Sequence, residues 1–173
     1  MPPGLPDRVD YERLAEDAAV LERVYPLGDL PRLQDLLADT RGSVAASFAF
    51  ATLGSGRVGA TVAIEANPHL VCQRCMQGFA FPVAGSSDIE FADGAGETQA
   101  GSEREVYSTE RGSVSLRDLA EEELLLALPI VAACSTPQTC GWAPTVPPAA
   151  EALDAPGDRT RPFTGLQDLL KKT

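Results

Sequence analysis

Four cysteines are the residues of this sequence whose type and spacing could do chemistry. Cys72 and Cys75 are separated by two residues, and Cys134 and Cys140 are separated by five. Two thiolates at the first spacing can face one cation if the chain turns tightly between them, as it does in zinc knuckles. We expect Gly78 to give the chain a positive backbone angle as it leaves this turn. Because four sulfur ligands complete a tetrahedron, the sequence predicts a structural zinc ion bound by all four cysteines.

Two other interpretations of the cysteines stay open. They could be buried apolar residues with free thiols, or they could form a redox-active disulfide. The sequence near Met1 lacks the positive start and apolar run of a signal peptide, and no apolar run approaches the roughly 20 residues of a membrane span. We therefore expect a cytoplasmic protein that does not bind membranes. Cytosolic thiols stay reduced, which favours metal binding over a disulfide.

Residues suited to catalysis are sparse. His69 is the only histidine, so any Ser-His-Asp or Cys-His arrangement would have to use it, and its place after Pro68 favours a surface residue over a zinc ligand. The run Glu121, Glu122 and Glu123 is predicted to be a solvated face of a helix, because consecutive helical residues point in different directions. We therefore expect a protein that is not an enzyme and has no small-molecule substrate.

The charge of the chain restricts its partners. The 14 lysines and arginines face 25 acidic residues, which gives a formal net charge of -11 in 173 residues. Binding to nucleic acid through phosphate neutralisation needs a clustered basic surface, and the scattered arginines do not supply one. Acidic proteins attract basic partners at long range, although the charge could also serve only solubility.

Alternating apolar residues predict a small antiparallel sheet. The alternation runs through residues 44–50 and 58–64, with a turn between them, and this pattern is typical of a β-hairpin with one buried face. It continues through residues 79–83 and 89–91 after the CysXXCys turn. The sequence therefore predicts at least three antiparallel strands and favours four.

Helical spacing appears on both sides of the sheet. Residues 10–25 predict an amphipathic helix, and residues 30–37 predict a second short one. Ser115 is a predicted cap for a longer helix over residues 116–128, which Pro129 ends. The fold class is therefore predicted as α+β, a small antiparallel sheet with flanking helices, in which the cysteine knuckle joins the sheet to the loop after the last of these helices.

Composition divides the chain into three parts. Residues 1–142 are predicted to form a single α+β domain, in which the acidic segment 92–104 is a mobile loop because it lacks large apolar residues. Residues 143–161 are rich in Pro and Ala and predict a linker. Residues 162–173 predict a short C-terminal helix, which is too short to be stable alone.

Three blocks of sequence resemble a known family. VCQRCMQGF lies at residues 71–79, EEELLLALPIV at 121–131 and RPFTGLQDLLKK at 161–172. In this order and at these distances they resemble the YceD proteins of bacteria and plastids, the large ribosomal RNA subunit accumulation proteins. LPDRVDYERLAED at residues 5–17 is a looser match. The resemblance implies a role in accumulation or processing of 23S rRNA and in assembly of the large ribosomal subunit.

The resemblance and the acidity together lead to one functional hypothesis and one alternative. The hypothesis is a non-catalytic acidic adaptor that binds a basic large-subunit ribosomal protein or another assembly factor, so that its effect on rRNA is indirect. The alternative is a zinc-knuckle protein that binds rRNA directly through local basic residues. Arg57 and Arg159 are further candidates for contacts to RNA. The candidate partner-binding residues are Arg74, Arg161, Phe163, Leu166, Leu169, Lys171 and Lys172.

Overall fold

The computed structural model describes a large part of the N-terminal four fifths of the chain. The described residues are 7–54, 56–93, 104–109, 112–135 and 140. All of them belong to one compact unit, residues 1–142. The predicted linker, 143–161, and the predicted C-terminal helix, 162–173, lie outside the described residues, and both stay predictions.

The described residues combine a majority of strands with few helices, which confirms the α+β class. The helices are α1, Tyr11–Glu16, and α2, Leu116–Ala127, and two 3-10 turns lie at Leu27–Asp29 and Pro31–Leu33. The strands are β1 Arg8–Asp10, β2 Val20–Pro26, β3 Ser43–Thr52, β4 Val58–Ala66, β5 His69–Val71, β6 Gly78–Ala80, β7 Val83–Asp93, β8 Glu105–Thr109 and β9 Ser113–Ser115.

The main sheet has five strands in the order β2-β3-β4-β7-β8. The predicted hairpin is confirmed as β3 and β4, and the first four strands pair antiparallel. The prediction of a purely antiparallel sheet is wrong at one edge, because β8 pairs parallel to β7. A strand that follows its neighbour after a longer connection, here residues 94–104, is not bound to the antiparallel pairing that a tight turn imposes. The sequence predicts Phe79 in the same sheet, but among the described residues β6 pairs with β5 in a separate two-stranded sheet.

The predicted helix over residues 10–25 is wrong in its second half. Only α1 is helical, and β2 follows it as an edge strand that pairs with β3. Leu21 and Tyr25 are the reason for the error, because a step of four residues fits both a helical face and a strand face. Burial alternates residue by residue along β2, as one buried strand face requires. The second predicted helix, over residues 30–37, is reduced to the 3-10 turn Pro31–Leu33.

The hydrophobic core lies between one face of the sheet and the helices. Phe48, Val62 and Ile64 point inward from β3 and β4 and are almost fully buried. On α2, Leu124 is fully buried, and Ser115 caps the helix by accepting the N–H of Asp118 at 3.2 Å. The predicted cap and helix are therefore confirmed. Burial of each large apolar side chain contributes about 1.5–3 kcal/mol relative to leaving it in water.

Strand β7 extends further than the sequence predicts. It ends at Asp93, so Ala92 and Asp93 belong to the strand and not to the predicted loop 92–104. The carbonyl of Ala92 accepts a hydrogen bond from the hydroxyl of Thr109 in β8 at 3.2 Å, which joins the ends of the two strands. Residues 94–103 of the predicted loop lie outside the described residues.

The three consecutive glutamates of α2 do not form a solvated face. Glu121 is 3% exposed and Glu123 is 7% exposed, while Glu122 reaches the surface and pairs with the Arg32 guanidinium. The Glu121 carboxylate accepts the backbone N–H of Arg32 at 2.7 Å, and Glu123 accepts the hydroxyl of Ser87. Buried carboxylates need such partners, so these two glutamates join α2 to the Pro31–Leu33 turn and to β7.

Adjacent alanine substitutions test this division of roles. Glu121→Ala is expected to lower the free energy of unfolding by about 1–3 kcal/mol, because it leaves the Arg32 N–H without its acceptor. Glu122→Ala removes an exposed ion pair and is expected to cost less than about 1 kcal/mol. Urea denaturation of both variants measures the difference, and equal losses would contradict the structural role of Glu121.

Candidate metal centre

The CysXXCys segment is the turn between strands β5 and β6. The two strands pair antiparallel, which fixes the direction in which the chain enters and leaves the turn. Inside it, the N–H of Met76 donates to the carbonyl of Cys72 at 2.9 Å, and the N–H of Cys72 donates to the carbonyl of Gln77 at 2.9 Å. These two hydrogen bonds close the tight turn that lets Cys72 and Cys75 face the same side.

The positive backbone angle of this turn lies at Met76 and not at the predicted Gly78. Met76 has φ of 59° and follows Cys75 directly, and Gly78 begins strand β6. The chain reverses immediately after the second cysteine, so the left-handed residue is needed there and not two residues later. A side chain in this region costs roughly 1–2 kcal/mol, because its Cβ crowds the following carbonyl.

Met76→Gly is therefore expected to stabilise the protein by about 0.5–1 kcal/mol, which is the relief of this crowding less the extra chain entropy of glycine. Met76→Ala is the matched control, because it removes the thioether and keeps the Cβ. Thermal unfolding of the two variants checks the prediction. A glycine variant no more stable than the alanine variant would contradict it.

The second pair of cysteines approaches from the segment that follows α2. The N–H of Gln73 donates to the carbonyl of Ala132 at 2.8 Å, and the Arg74 guanidinium donates to the carbonyl of Cys134. The N–H of Cys134 in turn points at Cys72 Sγ, 3.5 Å away. Hydrogen bonds from Gln73 and Arg74 therefore hold the β5–β6 turn against residues 132–134 in addition to the contacts of the sulfur atoms.

The four sulfur atoms converge on one point. Sγ of Cys72 lies 3.5 Å from that of Cys134 and 3.8 Å from that of Cys140, and Cys75 Sγ lies 3.8 Å from Cys134 Sγ. All four lie within 4.8 Å of one another. Ligand bonds of about 2.3 Å in a regular tetrahedron place sulfur atoms about 3.8 Å apart, whereas a disulfide would need about 2.05 Å. The spacing fits a four-sulfur metal site, and the four residues are free thiols.

Burial and backbone dipoles prepare the cluster for a cation. The N–H groups of Cys134 and Cys75 lower the pKa of the Cys72 thiol, whereas contact with the Cys140 thiol and burial raise the pKa of Cys134. Cys72 and Cys140 are almost fully buried, and four neighbouring thiols in such surroundings cannot all ionise without a compensating positive charge. Soft thiolate donors in a tetrahedron are typical of zinc or of iron-sulfur sites.

The other predicted site residues fall into two groups. Arg74 lies on the surface of the turn, where its guanidinium contacts the chain beside Cys134. His69 is outside the sulfur cluster, and its Nδ1 lies 3.4 Å from a carboxylate oxygen of Asp39. The six candidate residues of the C-terminal segment lie outside the described residues: Arg161, Phe163, Leu166, Leu169, Lys171 and Lys172.

Sequence reasoning missed two parts of this centre. The hydrogen bond between Gln73 and Ala132 joins segments about 60 residues apart in sequence. No local sequence pattern predicts a contact over this distance. The left-handed Met76 gave no signal because methionine is uncommon in that conformation. Its position directly after the second cysteine was the available clue, since the chain must reverse there.

Among the described residues, no helix has the length and apolarity needed to cross a membrane. The family model described as "Large ribosomal RNA subunit accumulation protein YceD" matches residues 60–170, well over half of the chain. This match includes all four cysteines and α2. Neither a curated protein nor a solved structure matches the sequence. The chain belongs to the YceD family of large ribosomal RNA subunit accumulation proteins.

Proposed function

We propose that this protein is a ribosome biogenesis factor that promotes accumulation and processing of 23S rRNA and assembly of the large ribosomal subunit. It acts in the cytoplasm as a non-catalytic acidic adaptor for a basic ribosomal protein or assembly factor. Membership of the YceD family carries the ribosomal part of this proposal. The adaptor part is supported by the charge of the molecule.

The charge argument favours a protein partner over naked RNA. The chain carries a formal net charge of -11, which repels a polyanion at long range and attracts a basic protein. Several arginines are also engaged by acidic neighbours: Arg32 with Glu122, Arg41 with Asp39 and Arg57 with Glu90. These pairs reduce the positive charge available for phosphate groups.

The four cysteines are proposed to bind one structural Zn²⁺. The donor type and the sulfur spacing fit this ion, and a closed set of four protein ligands leaves no open position for a substrate. When bound, zinc neutralises the thiolates and joins the β5–β6 turn to the segment after α2. Its binding free energy then contributes to folding. The metal centre thus gives the adaptor its shape and takes part in no reaction.

Deletion of the gene followed by complementation tests the ribosomal role. Cells without the protein are expected to show a lower ratio of 23S to 16S rRNA, and the full chain is expected to restore it. Quantitative RNA analysis across growth measures this ratio. An unchanged ratio in the deletion strain would overturn the proposed function.

Affinity purification of the full chain, with and without nuclease, separates the adaptor from the direct RNA binder. An adaptor is expected to retain the same basic protein after nuclease treatment. If nuclease treatment removes every partner, the protein binds rRNA directly, as the alternative hypothesis states. Replacement of Lys171 and Lys172 by Glu sharpens the test, because loss of RNA cross-linking with unchanged protein partners would also favour direct contact.

A further inference from the structure

The five-stranded sheet has one face that no described element covers. Helices α1 and α2 and the apolar core lie against the inner face. The opposite side of β2, β3, β4 and β7 is the open face, and burial alternates along β2 so that Val20 and Val24 are 62% and 67% exposed on it. These two valines add apolar surface to the β2 edge of the open face.

The open face is shaped as a shallow trough. Its floor consists of the small side chains of Ala45 and Ser47 on β3 and of Ala63 on β4. Ala45 pairs with Glu65 and Ser47 pairs with Ala63 across these two strands. The trough encloses about 400 Å³ and crosses the strands from Glu22 and Val24 on β2 to Ala84 on β7.

The open face is net negative, and Arg104 lines the same part of the surface as Asp88. Glu22, Glu65 and Asp88 are exposed on it, on β2, β4 and β7 respectively. At the end of the face, Arg57 and Glu90 form an ion pair that adds no net charge. The carboxylates of Glu22 and Glu65 beside a floor of alanine and serine form a surface that attracts lysine and arginine and leaves room for their long side chains.

We propose that the open face binds a basic segment of a large-subunit ribosomal protein. The aliphatic stems of lysines and arginines lie over Ala45, Ser47 and Ala63, and their charged ends reach Glu22 and Glu65. Lysine and arginine suit this arrangement because they can cover apolar surface while the charged group stays in water. The inference rests on the proposed function and names the surface through which the adaptor acts.

The size and charge of the open face argue against a second copy of the chain as its occupant. The four strands are 7 to 11 residues long, about 23–36 Å, and lie about 4.8 Å apart, so the face presents roughly 600 Å², whereas stable dimers bury about 1,000 Å² or more on each subunit. Two copies placed face to face would also oppose like carboxylates. One basic segment satisfies both limits.

Charge reversal on the open face tests the proposal against a matched control. The face variant carries Glu22→Lys, Glu65→Lys and Asp88→Lys. The control variant carries Glu12→Lys, Glu16→Lys and Asp35→Lys, three exposed residues away from the open face. Both variants change the formal net charge equally, so a difference between them reports the location of the charge. Thermal unfolding confirms that each variant is folded before binding is measured.

The binding probe is the mixture of proteins extracted from purified large ribosomal subunits, applied to the immobilised full chain. The face variant is expected to retain its basic partner at least about tenfold less well, and the control variant within about threefold of the original chain. A photo-crosslinking amino acid in place of Ala63 should attach to the same partner. Equal losses in both variants, or crosslinks only to RNA or to a second copy, would overturn the proposal.

The cellular readout distinguishes this inference from the proposed function. If the original chain restores the ratio of 23S to 16S rRNA and the face variant does so equally, with its partner still bound, only the open face is wrong. If the original chain restores nothing, the proposed function itself fails.

Discussion

Replacement of Cys72 by serine is expected to abolish stoichiometric zinc binding and to lower the free energy of unfolding by about 3 kcal/mol or more. Cys72 Sγ lies 3.5 Å from the sulfur of Cys134 and 3.8 Å from that of Cys140, and its side chain is fully buried. Serine keeps the size of the side chain but supplies no thiolate, so three ligands would remain around the cation. The loss is large because the metal joins segments that are far apart in sequence.

Metal analysis and thermal unfolding of the purified full chain measure this effect. Gln73→Ser is the matched control, because Gln73 is exposed in the same turn and its hydrogen bond to Ala132 comes from the backbone. A strong chelator should destabilise the original chain toward the Cys72 variant and leave that variant unchanged. A Cys72→Ser protein with full metal content and the original melting temperature would contradict the proposal that Cys72 binds zinc.

Gly59→Ala is expected to produce the second large loss of stability, on the order of 2–4 kcal/mol. Strand β4 passes so close to β7 at this point that a Cβ on Gly59 would lie 2.6 Å from the carbonyl oxygen of Ile89. The obstacle is backbone, so the two central strands would have to separate. Position 59 therefore requires glycine, because there is no room for a side chain between β4 and β7.

Gly54→Ala provides the control for that substitution. Gly54 lies in the turn of the same hairpin, and a Cβ added there meets nothing within 4 Å. Urea denaturation of both variants should show a loss for Gly59→Ala and a change within about 0.5 kcal/mol for Gly54→Ala. Similar stabilities would show that β4 and β7 are not held as closely as the structure places them.

The sequence predicts correctly those elements of the fold that depend on neighbouring residues in the chain. The β3–β4 hairpin has strict alternation with one buried face, and α2 has both a cap at Ser115 and a consistent apolar stripe. The CysXXCys spacing restricts the backbone so strongly that the turn between two strands could be inferred from it. In each case the physical cause lies within about a dozen neighbouring residues.

Features that depend on residues far apart in the sequence are not predicted by local patterns. Strand β2 is set by its pairing with β3, which overrides the helical spacing of Leu21 and Tyr25. Glu123 lies at a helical step from Ala120 and Leu116, on the buried stripe itself, so periodicity alone could have placed it inside. The burial of Glu121 could not be found in this way, because its partner is the backbone of the turn at Arg32.

We expect the proposed metal centre and the open face to have separate roles in the protein. The sulfur cluster joins the turn at Cys72 to the chain at Cys134, while the open face lies on the main sheet and carries the carboxylates of Glu22 and Glu65. Substitutions in the cysteine centre are expected to lower the stability of the fold. Substitutions on the open face are expected to weaken partner binding and to leave the fold intact.

X-ray absorption at the zinc edge, on the full chain as purified, tests the four-cysteine centre most directly. One zinc ion per chain with four sulfur neighbours at about 2.3 Å is the predicted result. A zinc ion with nitrogen or oxygen neighbours, or a folded protein that contains no zinc, would contradict the four-cysteine zinc centre.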